Sequence, residues 1–205
     1  MNISKFAFYD FDDTLIHGDS NKYIFLYGLR RRPLFILSVF PIAIYFIGYK
    51  LKLCPINKAK SIWLRPLKWM DDKELEDFYK TEIMPHYYDN VVANLKAQYE
   101  AGYLVYICSA SVEAYLLKTD LPYHFLSGTR TKVRGGRYTN LVIGKNCKRK
   151  EKVARIQEVL DGAGLAIDYE NSYAYSDSPS DWPMLKLVKN RVRIDKQTGA
   201  MSEFK

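Results

Sequence analysis

Three short apolar runs in this chain each lead into a polar cluster. Phe6-Ala7-Phe8-Tyr9 leads into Asp10-Phe11-Asp12-Asp13-Thr14. Leu104-Val105-Tyr106-Ile107-Cys108 leads into Ser109-Ala110-Ser111. Ala174-Tyr175 leads into Ser176-Asp177-Ser178-Pro179-Ser180-Asp181. If these ends converge, several carboxylates lie beside hydroxyls. Crowded carboxylates repel one another unless a cation neutralises them. An oxygen-only donor set without His or Cys favours magnesium, which takes one or two carboxylates plus substrate phosphate. A phosphate dianion also needs positive charge and hydrogen-bond donors. Lys152 can supply the charge, and Ser109 with backbone N–H groups the donors.

Each of these residues also has an ordinary structural job open to it. Asp12, Asp13 and Thr14 suit an Asx turn and helix cap. Ser109 and Ser111 suit a cap on the next helix. Lys152 stands among Lys145, Lys148 and Lys150 and can be one more solvated lysine, and Asp177 and Asp181 can be turn acids. Only their joint placement separates the two readings.

The elements that must position them follow from the pattern. Short aromatic-rich runs ending in acids read as buried strands. From about His17 to Glu100 the spacing is helical. Asp71-Asp72 start a helix through Leu75 and Phe78, Pro85 interrupts, and a helix through Val91, Leu95 and Tyr99 ends at Gly102. After the second strand come a helix from Val112 to Lys118 and a strand at Tyr123–Leu126. A hairpin follows around Gly135-Gly136, then a helix over Lys150–Leu160 and strands at Ser172–Tyr175 and Arg191–Ile194. Strands alternating with helices predict an α/β fold: a Rossmann-like, mostly parallel sheet with helices on both faces. In such sheets ligands bind beyond the carboxyl ends of the strands. The helical block, residues 17–100, reads as an insertion, leaving residues 1–16 and 101–205 as the core.

On these residues the chain resembles the haloacid dehalogenase (HAD) superfamily. Asp10-x-Asp12-x-Thr14 is similar to its first motif, Ser109 to its second, Lys152 to its third, and Asp177 with Asp181 to its fourth, in the family's order. The resemblance implies a phosphatase in which Asp10 is the nucleophile and Asp12 the general acid and base. It also implies that Ser109 and Lys152 bind the phosphoryl group. Asp10, Asp177 and the Asp12 carbonyl would hold Mg²⁺, with Thr14 and Asp181 in support. The insert resembles the all-helical cap of the phosphoserine phosphatase branch. Where that branch carries a Glu to read the amino acid, this chain has Asp19, which argues against phosphoserine itself.

Within the insert, Leu34–Tyr49 is uncharged throughout, with Arg30-Arg31-Arg32 before it and Lys50 and Lys52 after. It is short for a span of about 20 apolar residues. It fits an interfacial segment with cationic flanks facing anionic headgroups, or a buried cap helix or dimer surface. The arginine-apolar arrangement resembles HAD-type phosphatidylglycerophosphatases, which implies a lipid phosphate as substrate. A soluble small phosphate ester is the alternative, and transfer to another acceptor a weaker one.

Bulk composition agrees with an ordinary globular protein: 205 residues, 48% hydrophobic, 26% charged. The net charge of +8 favours anionic partners. With 17 tyrosines it also admits single-stranded nucleic acid, but the arginines adjoin an apolar run rather than alternating with stacking residues, so no nucleic-acid partner is expected. Acids fall where a signal peptide would be apolar, so no secretion signal is expected. The expected setting is the reducing cytoplasm, where the apolar insert also admits a place at the inner face of the cytoplasmic membrane. Cys54, Cys108 and Cys147 form no metal or disulfide pattern and are expected to be buried free thiols. Oligomeric state has no signature.

Overall fold

A computed structural model describes residues 1–53 and 55–204; Cys54 lies outside them. The centre is a six-stranded sheet ordered β10-β9-β8-β2-β3-β4. Its strands are β2 (Phe6–Tyr9), β3 (Leu104–Val112), β4 (Phe125–Thr129), β8 (Tyr173–Ser176), β9 (Asn190–Ile194) and β10 (Met201–Glu203). All neighbours run parallel except β10, which is antiparallel to β9. The mostly parallel α/β expectation therefore holds.

Alternation along β2 shows why both faces are covered. Phe6 and Phe8 point to one face with Tyr106 and Cys108, against Ile156 and Leu160 of α7 (Lys150–Ala163) and Met184 and Leu185 of α8 (Trp182–Leu185). Ala7 and Tyr9 point to the other face with Val105 and Ile107, against Val91 and Leu95 of α5 (Asp89–Glu100). Every β2 side chain is fully buried; at about 1.5–3 kcal/mol per large apolar side chain, this strand is a main anchor of the core. Gln98 ties α5 to the sheet, accepting from the Tyr9 hydroxyl at 2.8 Å and donating to that of Tyr175 at 2.7 Å.

Between β2 and β3 the chain is helical: α1 (Ser20–Arg31), a 3-10 turn at Pro33–Ser38, α2 (Val39–Lys50), α3 (Ile56–Trp63), a 3-10 turn at Arg65–Lys68 and α4 (Asp72–Phe78). Asp71 caps α4 in a reciprocal capping box with Glu74. Past α4 the helix loosens into a π turn over Tyr79–Ile83 before Pro85, a local form that periodicity does not reveal. A short helix, α6 (Glu113–Leu116), follows β3, and β5 (Thr131–Arg134) pairs antiparallel with β6 (Arg137–Val142) about the Gly135-Gly136 turn.

Some expectations shift. The third strand starts at Phe125 rather than Tyr123. The second runs on through Ser109–Val112, with its register to β4 broken between Cys108 and Val112. Two three-residue strands with no pattern of their own, β1 (Asn2–Ser4) and β7 (Leu165–Ile167), pair with each other. Cys108 and Cys147 are buried free thiols as expected, yet their sulfurs approach to 3.7 Å despite their separation in sequence.

Candidate active site

The ends of β2, β3 and β8 open on one cavity of about 630 Å³, lined by Asp10, Asp12, Lys152, Asp177 and Asp181 among others. Each arrives by a local device. Asp10 follows β2 directly, its N–H bonded to the Tyr175 carbonyl of β8 at 3.0 Å. Asp13 takes a left-handed backbone at φ 54° and accepts the Gly18 N–H at 2.9 Å, which folds residues 13–18 back on themselves. Gly18 is itself at φ 84° against the Tyr23 ring, where a Cβ would collide with the hydroxyl.

Lys152, in the first turn of α7, sits between two carboxylates: its Nζ is 2.7 Å from Asp10 Oδ1 and 2.7 Å from Asp181 Oδ2. Its side chain is only 2% exposed. Burial alone would pull the ammonium down, but Asp10 and Asp181 outweigh it and hold it well above the usual lysine range. One cation cannot satisfy two buried acids equally. Burial and Asp181 push the Asp10 carboxyl well above the usual range against Lys152. Asp181 meets the same burial, but Lys152 and hydrogen bonds hold it below.

Asp12 lies apart from that triple. It accepts from the Ser20 N–H at 2.8 Å and from the Ser111 hydroxyl. Burial, aided by Asp19, pushes it up to about 6 against those bonds. The Thr14 hydroxyl receives the Asp177 N–H at 3.0 Å, clamping the β8 loop to the β2 loop. Burial also raises Asp177, opposed by Lys196, whose Nζ is 2.8 Å from Asp177 Oδ2. Ser109 is fully buried just behind the wall that Ala110 forms, and its Oγ accepts the Ser111 N–H at 2.9 Å.

Six of the seven residues singled out in sequence thus meet through direct contacts or a shared wall, and Ser109 stands behind them. Others were missed or not assigned. Lys196 comes from the β9–β10 turn, far along the chain and with no motif. Lys60 of α3 reaches the cavity and donates to Asn146 Oδ1 at 2.8 Å and Thr129 Oγ1 at 3.1 Å, and to the Ala110 carbonyl. Ser20 and Asn21 bracket Asp12 and Ser111 at the start of α1, which is capped by Asp19 accepting the Asn21 N–H at 2.8 Å. Only the acid-then-Ser pattern at Asp19-Ser20 hinted at a helix start there.

A family model described as haloacid dehalogenase-like hydrolase matches residues 7–186. A histidinol-phosphatase of Neisseria meningitidis serogroup C (strain 8013) is 25% identical over 99% of this chain and 96% of its own length. A solved protein of unknown function from Bordetella pertussis Tohama I superposes with a TM-score of 0.78 at 24% identity, covering 94% of this chain and 91% of that one. A substrate-bound phosphoserine phosphatase superposes with a TM-score of 0.61 at 17% identity, over 93% of this chain and 86% of that one. The two structural likenesses show the shared fold.

Proposed function

This chain belongs to the haloacid dehalogenase-like hydrolase family, and from that membership we propose that it is a magnesium-dependent phosphomonoesterase working through an aspartyl-phosphate on Asp10. The observation that carries the reading is the buried Asp10–Lys152–Asp181 triple facing the same cavity as Asp12. Asp10, in its ionised form paired with the Lys152 ammonium, attacks phosphorus and the ester oxygen leaves. Asp12, protonated in part because burial raises it to about 6, gives its proton to that oxygen. It then takes a proton from the water that hydrolyses the acyl phosphate. Lys152 holds phosphoryl oxygens, Asp181 keeps Lys152 in place, and Thr14 keeps Asp177 in place. Ser109 is assigned a phosphoryl contact from its motif position alone, since its hydroxyl lies outside the cavity lining.

The residues fit magnesium. Asp10, Asp177 and the Asp12 carbonyl are hard oxygens, and their charge exceeds what Lys152 balances. The Lys196 ammonium already stands against Asp177 as a cation would. Among the described residues no three His, Cys, Asp or Glu side chains form a cage. Two carboxylates and a carbonyl, completed by water and substrate oxygens, are the set magnesium accepts. When bound, the ion would neutralise Asp10 and the phosphoryl oxygens in the transition state.

We assign residues 1–16 and 101–205 to the catalytic core and 17–100 to the cap. Because α5 is bonded to the sheet through Gln98, the part that covers the site is the stretch before it. For substrate we propose a lipid phosphate such as phosphatidylglycerophosphate, met at the inner face of the cytoplasmic membrane. The support is the Pro33–Lys50 segment: 18 residues with a mean hydropathy of 1.6, only 12% of it buried. Length and composition would also let it span a bilayer. That exposure disfavours a buried cap helix, and its Tyr49 lines the catalytic cavity.

A second reading, a soluble phosphate ester, is favoured by the histidinol-phosphatase relative over 99% of the chain. One assay separates the readings. The purified protein is given detergent-dispersed phosphatidylglycerophosphate, histidinol phosphate, phosphoserine and p-nitrophenyl phosphate, with and without magnesium. We expect magnesium-dependent release of phosphate, fastest from the lipid. Asp10→Asn should cut turnover at least about a thousandfold; undiminished hydrolysis by that variant would sink the mechanism. Preference for a soluble ester would move the substrate assignment and leave the chemistry standing. Alcohol release that outruns phosphate release would point to transfer.

A further inference from the structure

The cap carries a second cavity, of about 600 Å³, that shares no lining residue with the catalytic one. Arg32, Leu34, Phe35, Arg65, Lys68 and Trp69 form most of its wall, with three cations and no carboxylate. Local sequence explains the clustering. Pro33 starts one 3-10 turn directly after Arg32, and Arg65–Lys68 forms another that ends at Trp69. The Trp69 ring braces both: the Arg32 guanidinium lies 4.8 Å above it, and Phe35 meets it edge-on at 5.3 Å.

The chain that leaves the cavity at Leu34 carries further unburied apolar side chains. Leu34 is 81% exposed, and Leu37, Phe40, Ile44 and Ile47 beyond it are also exposed. A recess floored by buried Phe35, with exposed Arg32, Arg65 and Lys68 beside bare apolar side chains, fits an amphiphile with an anionic head. A second copy of this chain fits poorly, because the same cationic patch would face itself on a protein of net charge +8. An anionic bilayer complements both features.

We infer that this cavity is a headgroup site for an anionic phospholipid, seating the cap on the bilayer. It rests on the membrane reading above and not on the catalytic chemistry, so it is tested by binding alone. The full-length protein is co-sedimented with vesicles of phosphatidylcholine and with vesicles containing phosphatidylglycerol. Wild type should prefer the anionic vesicles. The double variant Arg65→Glu, Lys68→Glu should lose about tenfold or more of that affinity, while a matched reversal at two exposed lysines elsewhere, Lys96→Glu with Lys150→Glu, should lose much less. Circular dichroism checks that both variants fold. As a milder variant, Arg65→Gln with Lys68→Gln should fall between. Equal loss in the control pair would mean diffuse net-charge attraction and overturn the site. Unchanged binding in both Arg65 and Lys68 variants would overturn it too. Failure of wild type to bind either vesicle would overturn the membrane reading and the headgroup site together, leaving the phosphatase reading untouched.

Discussion

Lys152 holds one positive charge between two buried acids, and that arrangement fixes what its loss should do. In Lys152→Met, Asp10 and Asp181 face each other with no ammonium between them. Breaking a buried ion pair costs about 3–5 kcal/mol, so the variant should be that much less stable near neutral pH in magnesium-free buffer. The sign with pH follows from the carboxyls. Without the cation, both would have folded-state pKa values above their unfolded ones. Such groups contribute stability at low pH and lose it as pH rises through the folded value. The deficit should therefore shrink on mild acidification. Urea denaturation of both proteins at neutral and mildly acidic pH checks this; a deficit that stays constant or grows on acidification would mean Lys152 is not their counter-ion. Lys152 was the least distinctive residue in the sequence, one lysine of several around it. Its burial singles it out, and burial belongs to the packing of α7.

At the scale of elements, the cap is held together by close packing at Gly28 of α1. A Cβ there would stand 2.4 Å from Pro66 Cγ and 3.0 Å from Pro66 Cβ, in the turn that carries Arg65 and Lys68. A proline ring cannot swing away, so overpacking of about 1–3 kcal/mol is expected. Alanine gains about 0.5–1 kcal/mol over glycine inside a helix. The clash is the larger effect, so Gly28→Ala should lower the melting temperature, and a rise would show that the turn gives way freely. Element types were legible where a pattern was long: α5, α7 and the Gly135-Gly136 hairpin follow from spacing and turn residues. Boundaries were less so. β3 runs past Ser109 because pairing with β4 resumes at Val112 after an irregular stretch, and a break in pairing leaves no period in the sequence. β1, β7 and β10 are three residues each, too short for any pattern and defined by their partners.

For the whole molecule, Lys60 is a bond between cap and core. From α3 it donates to Ala110 in the irregular stretch of β3, to Thr129 of β4 and to Asn146 before α7. Burial pushes its pKa down to about 8, against the pull of Asp12 and Asp19. The folded state thus disfavours the ammonium. Between about 8 and the usual 10.5 the unfolded chain holds a proton that the folded chain has lost, so this residue makes stability rise with pH in that window. The stability difference between wild type and Lys60→Met should grow over that interval in denaturation curves; a flat difference would show that the lysine is not desolvated. Residue identity and order alone determined the α/β class, the catalytic candidates and the presence of a helical insert, because strand period, turn chemistry and motif spacing are local properties of the chain. The tertiary structure decided the rest. It paired Asp177 with Lys196, brought Lys60 and Ser20 to the site, set Ser109 behind the wall, and left the Pro33–Lys50 segment largely outside the core. Those relations join residues distant in sequence, and only the packing of the cap on the sheet brings them within reach.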